Sequence, residues 1–231
     1  MSFISALAKR SFSSAQFRKP VIALMSGSTR EGSVNTQLIH AAETVAKGLG
    51  AETKVLDLGN YDMPVYNQDL EAASGLPKAA QQLKAELESA DGWIVASPEY
   101  NGFITPLLVN SIAWCSRGDP DGEMYATFKG KSAVVLSASP GAMGGMRSLN
   151  PNRELLTNLG VSVLPDSVAV GGAFGAFDDE GALVDVGQKA MLEAAVEKLF
   201  YQSRDAANRE ATYEMIDAHL VGEYGEAGVV A

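Results

Sequence analysis

The chain has 231 residues, enough for one domain with a well-buried core or for two small ones. Hydrophobic residues make up 46% and charged residues 20%, the balance of a globular chain, and no apolar run approaches the roughly 20 residues that span a bilayer. A net charge of −10 argues against nucleic acid or an anionic membrane surface as partner, because phosphate is bound by basic surfaces.

Cysteine and histidine are scarce. The single cysteine, Cys115, excludes an internal disulfide framework and a cysteine-built zinc site. Two histidines, His40 and His219, leave little for a histidine metal site. Cys115 closes the apolar segment Leu107–Trp114, which reads as a buried inert thiol rather than a nucleophile. The chain brings little nucleophile–base chemistry of its own.

Residues 1–20 differ in kind from the rest. They carry Lys9, Arg10, Arg18 and Lys19, five serines and no acid, the composition of an organelle transit peptide. Arg10-Ser11-Phe12-Ser13-Ser14 resembles a mitochondrial presequence processing region. A plastid address fits the same composition, and a disordered basic leader on a cytoplasmic protein is the alternative. Loss of the four basic residues leaves 14 Lys+Arg against 28 Asp+Glu, a net charge of −14.

Val21–Met25 is a continuous apolar run, as expected of a strand covered on both faces. A polar loop, Ser26 to Val34, follows. Asn35 to Leu49 has apolar residues at helical spacing and ends between Gly48 and Gly50. Thr53–Leu58 reads as the second strand, Tyr61–Ser74 as irregular, and Pro77–Ala90 as a helix. Trp93–Ala96 is the third strand. Thr105 and Pro106 then open a helix over Leu107–Trp114, a hydroxyl cap followed by proline in the first turn. After a surface connection, Gly118–Gly130, come a fourth strand at Ala133–Leu136 and a glycine-rich loop to Met146. A helix over Arg147–Leu159 follows, its start delayed by Pro151. Val161–Val170 is strand-like but interrupted by Pro165. Phe177–Gly181 is a turn, and Gly187–Ser203 the closing helix.

Strand and helix thus alternate five times. Right-handed crossovers turn such a pattern into a parallel α/β sheet with helices on both faces. Residues 21–204 read as one domain, and residues 205–231 as an acidic C-terminal extension that docks, pairs with a second subunit or stays mobile.

In an open parallel sheet, ligands collect at the carboxyl ends of the strands, and three loops fall there. The first, Gly27 to Thr36, offers small hydroxyls, Arg30 and a helix N-terminus, the parts of a phosphate cradle. It matches neither the Walker pattern nor Gly-x-Gly-x-x-Gly. Read by itself, it is equally an ordinary polar loop in which Ser33 caps the helix. The second, Ser97 to Pro106, is unusually decorated for a strand-to-helix connection, with two prolines, an Asn-Gly pair and Tyr100. A tight turn with Tyr100 packed locally would also account for it. The third, Ser137 to Gly145, permits close backbone approach to a flat ligand, or is a flexible surface turn.

Taken together, Gly27-Ser28-Thr29-Arg30-Glu31-Gly32-Ser33-Val34-Asn35 and Pro98-Glu99-Tyr100-Asn101-Gly102-Phe103 resemble the NADPH-dependent FMN reductase family, which includes chromate, quinone and azo-dye reductases. Ser139-Pro140-Gly141 with Gly144-Gly145 looks like that family's third flavin-side loop. The similarity runs from about Val21 to about Phe200. It implies a flavodoxin-like three-layer sandwich whose five-stranded parallel sheet has the order 2-1-3-4-5.

The resemblance further implies that Ser28, Arg30, Ser33, Asn35 and Thr36 serve the FMN phosphate. Pro98, Glu99, Tyr100, Asn101 and Gly102 would then wrap the ribityl chain and ring, with Ser139 and Gly141 nearby. It implies NADPH or NADH as hydride donor, a quinone or similar small molecule as acceptor, a ping-pong sequence through FMN, and a homodimer or homotetramer. No side chain is nominated as catalytic, because a flavin accepts the hydride itself. Two alternatives stand beside this reading. One is a flavodoxin-like FMN-binding electron carrier acting with a protein partner; the other is a phosphate-ester-binding or hydrolytic α/β domain. The chain departs from many relatives at Val109 and Ala113, where they have Lys and Asp, and at Asn150-Pro151-Asn152.

Overall fold

In the computed structural model, which describes residues 17–118, 124–209 and 211–216, the apolar runs become one sheet. Its strands are β1 (Val21–Ser26), β2 (Glu52–Leu56), β3 (Gly92–Ala96), β4 (Ser132–Ala138) and β5 (Ser162–Val170). All neighbours are parallel, in the order β2-β1-β3-β4-β5. This is the flavodoxin-like order expected above. Between the strands run α1 (Val34–Gly48), α2 (Gln68–Ser74), α3 (Lys78–Glu88), α4 (Pro106–Cys115), α5 (Leu149–Asn158) and, last, α6 (Val186–Ala207).

The sheet is apolar without alternation because both faces are covered. Ile94 and Ala96 of β3 enter a core with Leu38, Ile39 and Ala42 of α1 and Ala195, Val196 and Leu199 of α6. Their neighbours Trp93 and Val95 enter the opposite core, with Leu83 and Leu87 of α3, Leu108 and Ile112 of α4 and Leu156 of α5. Burying one such side chain is worth about 1.5–3 kcal/mol, so each central strand anchors two helical layers at once. Gly92 at the start of β3 lets α6 pack closely: a Cβ there would run into the Ser203 hydroxyl and press on Leu199 of α6.

Three elements differ from the sequence reading. The segment expected to be irregular, 61–74, contains α2, capped by the Asn67 side chain, which accepts from the Asp69 and Leu70 amides. No residue of α2 is buried, so it has no apolar stripe to announce it. Pro165 does not interrupt β5. It sits in a bulge, where the pairing steps from Ala133↔Val163 to Val135↔Ser167, as edge-strand prolines do. Arg153 of α5 donates to the carbonyls of Val163, Leu164 and Pro165 at 3.1, 2.6 and 3.3 Å, satisfying what the bulge leaves open. The closing helix runs to Ala207, beyond the expected end at Ser203. Pro151 falls in the first turn of α5, where its missing N–H costs nothing.

The amino-terminal stretch enters the fold before β1. Arg18 pairs with Asp91 through two bonds of 2.6 and 2.7 Å, and its amide donates to the Asn208 side chain. Residues 1–16 of the expected leader, 119–123 of the surface connection, and 217–231 of the extension, with His219, lie outside the described residues. Among the described residues no helix is long and apolar enough to cross a membrane.

Candidate active site

Five loops leave the carboxyl ends of the strands, and those after β1, β3, β4 and β5 converge. The loop after β1 begins with Gly27, whose amide donates to Ala96 O of the neighbouring strand at 2.8 Å. A Cβ on Gly27 would lie 2.7 Å from Thr105 Oγ1, so a side chain here would displace the hydroxyl that caps α4. Thr105 caps that helix as expected, accepting from the Leu108 amide.

Ser33 occupies the N-cap of α1, but its hydroxyl makes no capping bond. A helix start leaves its first amides without intrahelical partners, and these carry the positive end of the helix dipole. Ser28 Oγ accepts from the Arg30 amide at 3.3 Å, and the Arg30 guanidinium folds along the loop onto the carbonyls of Glu31 and Gly32. Amides, two hydroxyls and a guanidinium thus share one concave turn, a donor set suited to a phosphate.

Asn35 behaves differently from its neighbours. It is buried, and its side chain both accepts from Ala138 N and donates to Ala138 O, each at 2.9 Å. The amide clamps the first turn of α1 to the end of β4, and so holds two walls of the cleft together. Thr36 lies one residue further along the helix and does not line the cleft.

In the loop after β3, Tyr100 and Phe103 exchange two main-chain bonds of 2.9 and 3.0 Å around Asn101 (φ 55°) and Gly102 (φ 79°). This is a two-residue hairpin with both central residues at positive φ, which explains the Asn-Gly pair. Asn101 and Gly102 therefore form the tip of the turn, while Pro98, Glu99 and Tyr100 face the cleft. Glu99 reaches across to the next loop, accepting from the Arg147 amide at 3.2 Å and its guanidinium at 3.4 Å. The single proton of Ser148 Oγ is shared between Gly145 O at 2.8 Å and Ser97 O at 3.2 Å, at the base of the same two loops.

The loop after β4 brings Ser139 to the cleft, where its hydroxyl accepts from the Gly141 amide at 3.3 Å. Gly144, at φ 60°, packs so closely on the end of β5 that a Cβ would lie 2.7 Å from the Val170 carbonyl carbon. Gly141 itself is turned toward the loop after β5, accepting from Gly172 N at 3.3 Å.

Eight of the twelve residues expected to bind cofactor line one cleft of about 230 Å³: Ser28, Arg30, Ser33, Asn35, Pro98, Glu99, Tyr100 and Ser139. Phe174, in the loop after β5, lines it too and is 79% exposed. The sequence reading missed it by considering three loops of that edge; the Gly171-Gly172 pair marking a fourth was the available signal. Tyr100, Phe103, Met143, Met146 and Phe174 are all exposed, giving the loops around the cleft large apolar side chains. A larger groove, about 470 Å³, lies between α1 and α6. It has an apolar floor of Val45, Leu183 and Leu192, with Glu180, Glu193 and Glu197 against Lys189, and offers an anion little. Donor chemistry rather than size singles out the smaller cleft.

Cys115 takes no part. It is buried in the core against α3, and burial pushes its thiol up to about 12, so it stays protonated at neutral pH.

The family profile described as NADPH-dependent FMN reductase matches residues 20–175. An NAD(P)H-dependent FMN reductase of Pseudomonas aeruginosa is 33% identical over 177 residues, covering 76% of this chain and 90% of the relative. A quinone reductase of Pseudomonas putida is 33% identical over 178 residues, 77% and 91% of the two chains. An NAD(P)H:quinone oxidoreductase of Solanum tuberosum is also 33% identical, with 77% and 91% covered. Among solved structures, the flavoenzyme NAD(P)H:(acceptor) oxidoreductase of Paracoccus denitrificans superposes with a TM-score of 0.68 at 25% identity, covering 81% of this chain and 98% of that one.

Proposed function

We propose, since this chain belongs to the NADPH-dependent FMN reductase family, that it reduces quinones or similar flat acceptors. It is an oxidoreductase that works with FMN and NAD(P)H. The observation that carries the reading is the α1 N-terminus, whose N-cap hydroxyl leaves the helix amides to a ligand while Arg30 and Ser28 flank them.

The residues present fit FMN. Ser28, Arg30, Ser33 and the first amides of α1 would hold the phosphate, with Asn35 acting through its clamp on Ala138. Pro98, Glu99 and Tyr100 supply the opposite wall, with Ser139 at the base of the third loop. Bound there, FMN supplies two-electron hydride chemistry, serving donor and acceptor in turn in a ping-pong sequence. The chain's own task is positioning and exclusion of water: the large apolar side chains around the cleft favour a flat, uncharged acceptor over a small inorganic anion. Exposed apolar residues that do not line the cleft, Val65, Val186 and Met191, support a homodimer or homotetramer that covers them, and a monomer in sedimentation would remove that part of the reading.

Residues 1–16 remain our candidate for a mitochondrial or plastid leader. Phe17 to Pro20 belong with the folded unit, because Arg18 is tied to Asp91 and Asn208. Import of a reporter fused to residues 1–20 tests this, and a reporter left in the cytoplasm refutes it.

For the enzyme, the test is the absorbance spectrum of purified protein followed by NADPH oxidation against a panel of quinones. A yellow protein that turns over quinones is expected. Protein that stays colourless and takes up no added FMN would sink the flavin reading. Bound FMN without NADPH oxidation would instead leave the electron-carrier alternative. Arg30→Ala should weaken FMN retention about tenfold, as for one lost charge-assisted bond.

A further inference from the structure

The carboxyl edge has to receive two anionic ligands, and its supply of positive charge is small. The loops there span residues 27–33, 57–67, 97–105, 139–148 and 171–185. They contain only two Lys or Arg residues, Arg30 and Arg147, against eight acids: Glu31, Asp57, Asp62, Glu99, Asp178, Asp179, Glu180 and Asp185. Lys189, in the first turn of α6, lines the separate apolar groove instead. Arg30 stands on the hydroxyl wall beside the α1 N-terminus. That leaves one cation on the opposite side.

Arg147 is built for an exposed role. Its main chain is held by Glu99 Oε2, and its stem lies against the Asn101–Gly102 turn, where a Cβ on Gly102 would meet Arg147 Cδ at 4.0 Å. The Arg147 side chain is 69% exposed, while that of Glu99 is only 16% exposed. A single bond of 3.4 Å from Nη1 to Glu99 leaves most of the five N–H donors pointing to solvent. A fork anchored at its base with its donors outward can take a phosphate bidentately.

We propose that Arg147 binds a phosphate of the incoming nicotinamide dinucleotide, and so sets the enzyme's affinity for its donor; this rests on the reading of the cleft as a flavin site fed by NAD(P)H. A dinucleotide offers a pyrophosphate, and in NADPH a 2′-phosphate as well. The two are separated by comparing NADP⁺ with NAD⁺.

The experiment is equilibrium calorimetry of NADP⁺ and NAD⁺ binding to FMN-loaded protein, without turnover, on wild type, Arg147→Ala, Arg147→Lys and Glu99→Gln. FMN content is measured first, so that failure of the flavin reading shows as empty wild-type protein and is not confused with failure of this one. Arg147→Ala is expected to weaken NADP⁺ about tenfold to a hundredfold, the range of one charge-assisted contact, with FMN content and Tm unchanged. Lysine should recover part of the loss. A loss confined to NADP⁺ assigns the 2′-phosphate, and an equal loss for NAD⁺ assigns the pyrophosphate. In steady state the KM for the donor should rise while kcat holds.

Glu99→Gln separates contact from scaffolding. With FMN added to saturation, because Glu99 also lines the cleft, removing the competing carboxylate should leave NADP⁺ binding equal or tighter if Arg147 meets phosphate. If the ion pair only braces the two loops, Glu99→Gln and Arg147→Ala weaken binding alike, and the proposal is overturned. Unchanged NADP⁺ affinity in Arg147→Ala, or loss of FMN from that variant, overturns it as well.

Discussion

At the scale of single residues, Asn35 has a more specific place than its motif suggested. Its side chain answers both polar groups of Ala138, so Asn35→Ala leaves a buried N–H and C=O without partners. We expect a loss of about 1–3 kcal/mol in urea unfolding, with weaker FMN retention. Asn35→Asp should fall between, since a carboxylate still accepts from Ala138 N but faces Ala138 O with no donor. Equal stability of all three proteins would show that the clamp contributes nothing. Cys115 gives a pH prediction. Its folded thiol titrates at about 12 against a usual value of 9.0, because burial disfavours the thiolate. Between those values the unfolded chain has lost a proton that the folded one keeps, so this group's contribution to stability declines as pH rises from 9.0 towards 12. Cys115→Ala should flatten that slope, and native protein at pH 8 should resist thiol reagents that label it at once in denaturant. Much of this was legible in sequence: an apolar neighbourhood foretold the inert thiol, and the loop motifs named eight residues of the cleft. The role of Asn35 was not, since its partner stands 103 residues away.

At the scale of elements, the strands were readable because a sheet covered on both faces must be apolar throughout, and the helices because their caps are local. Thr105 with Pro106 announced α4 for that reason. Two features depend on distant partners instead. β5 passes through Pro165 in a bulge whose open carbonyls are met by Arg153, ten to twelve residues earlier in the chain. The segment before α2 is held by α4: Asn110 accepts from Tyr66 N and donates to Pro64 O, and Trp114 Nε1 donates to Pro64 O at 2.7 Å. Tyr66 also meets Trp114 edge-on at 5.0 Å and lies under the Arg117 guanidinium. Asn110→Ala and Trp114→Phe should therefore raise amide exchange across residues 61–74 well before they alter β1 or β3. If exchange rises evenly over the whole chain, these bonds are part of the global core and not a local clasp.

At the scale of the whole molecule, cofactor and fold should stabilise one another, because the cleft is made of four loops that only the finished sheet brings together. FMN at a hundredfold over its Kd adds about 2.7 kcal/mol, which for a domain of this size is several degrees of Tm. Scanning calorimetry of stripped protein with and without FMN checks this, and an unmoved transition would mean that the ligand does not bind the native state. The clamp between Asn35 and Ala138 carries this coupling into the timing of synthesis. The cradle's own residues are among the first of the fold to be made, yet the residue that fixes them comes 103 positions later. At ~5–20 residues per second a ribosome takes on the order of 5–20 s to reach it. If the cleft is the flavin site proposed above, a flavin arriving in that interval would meet half a pocket, loading would belong to the completed chain, and supply of the cofactor would not have to keep pace with translation.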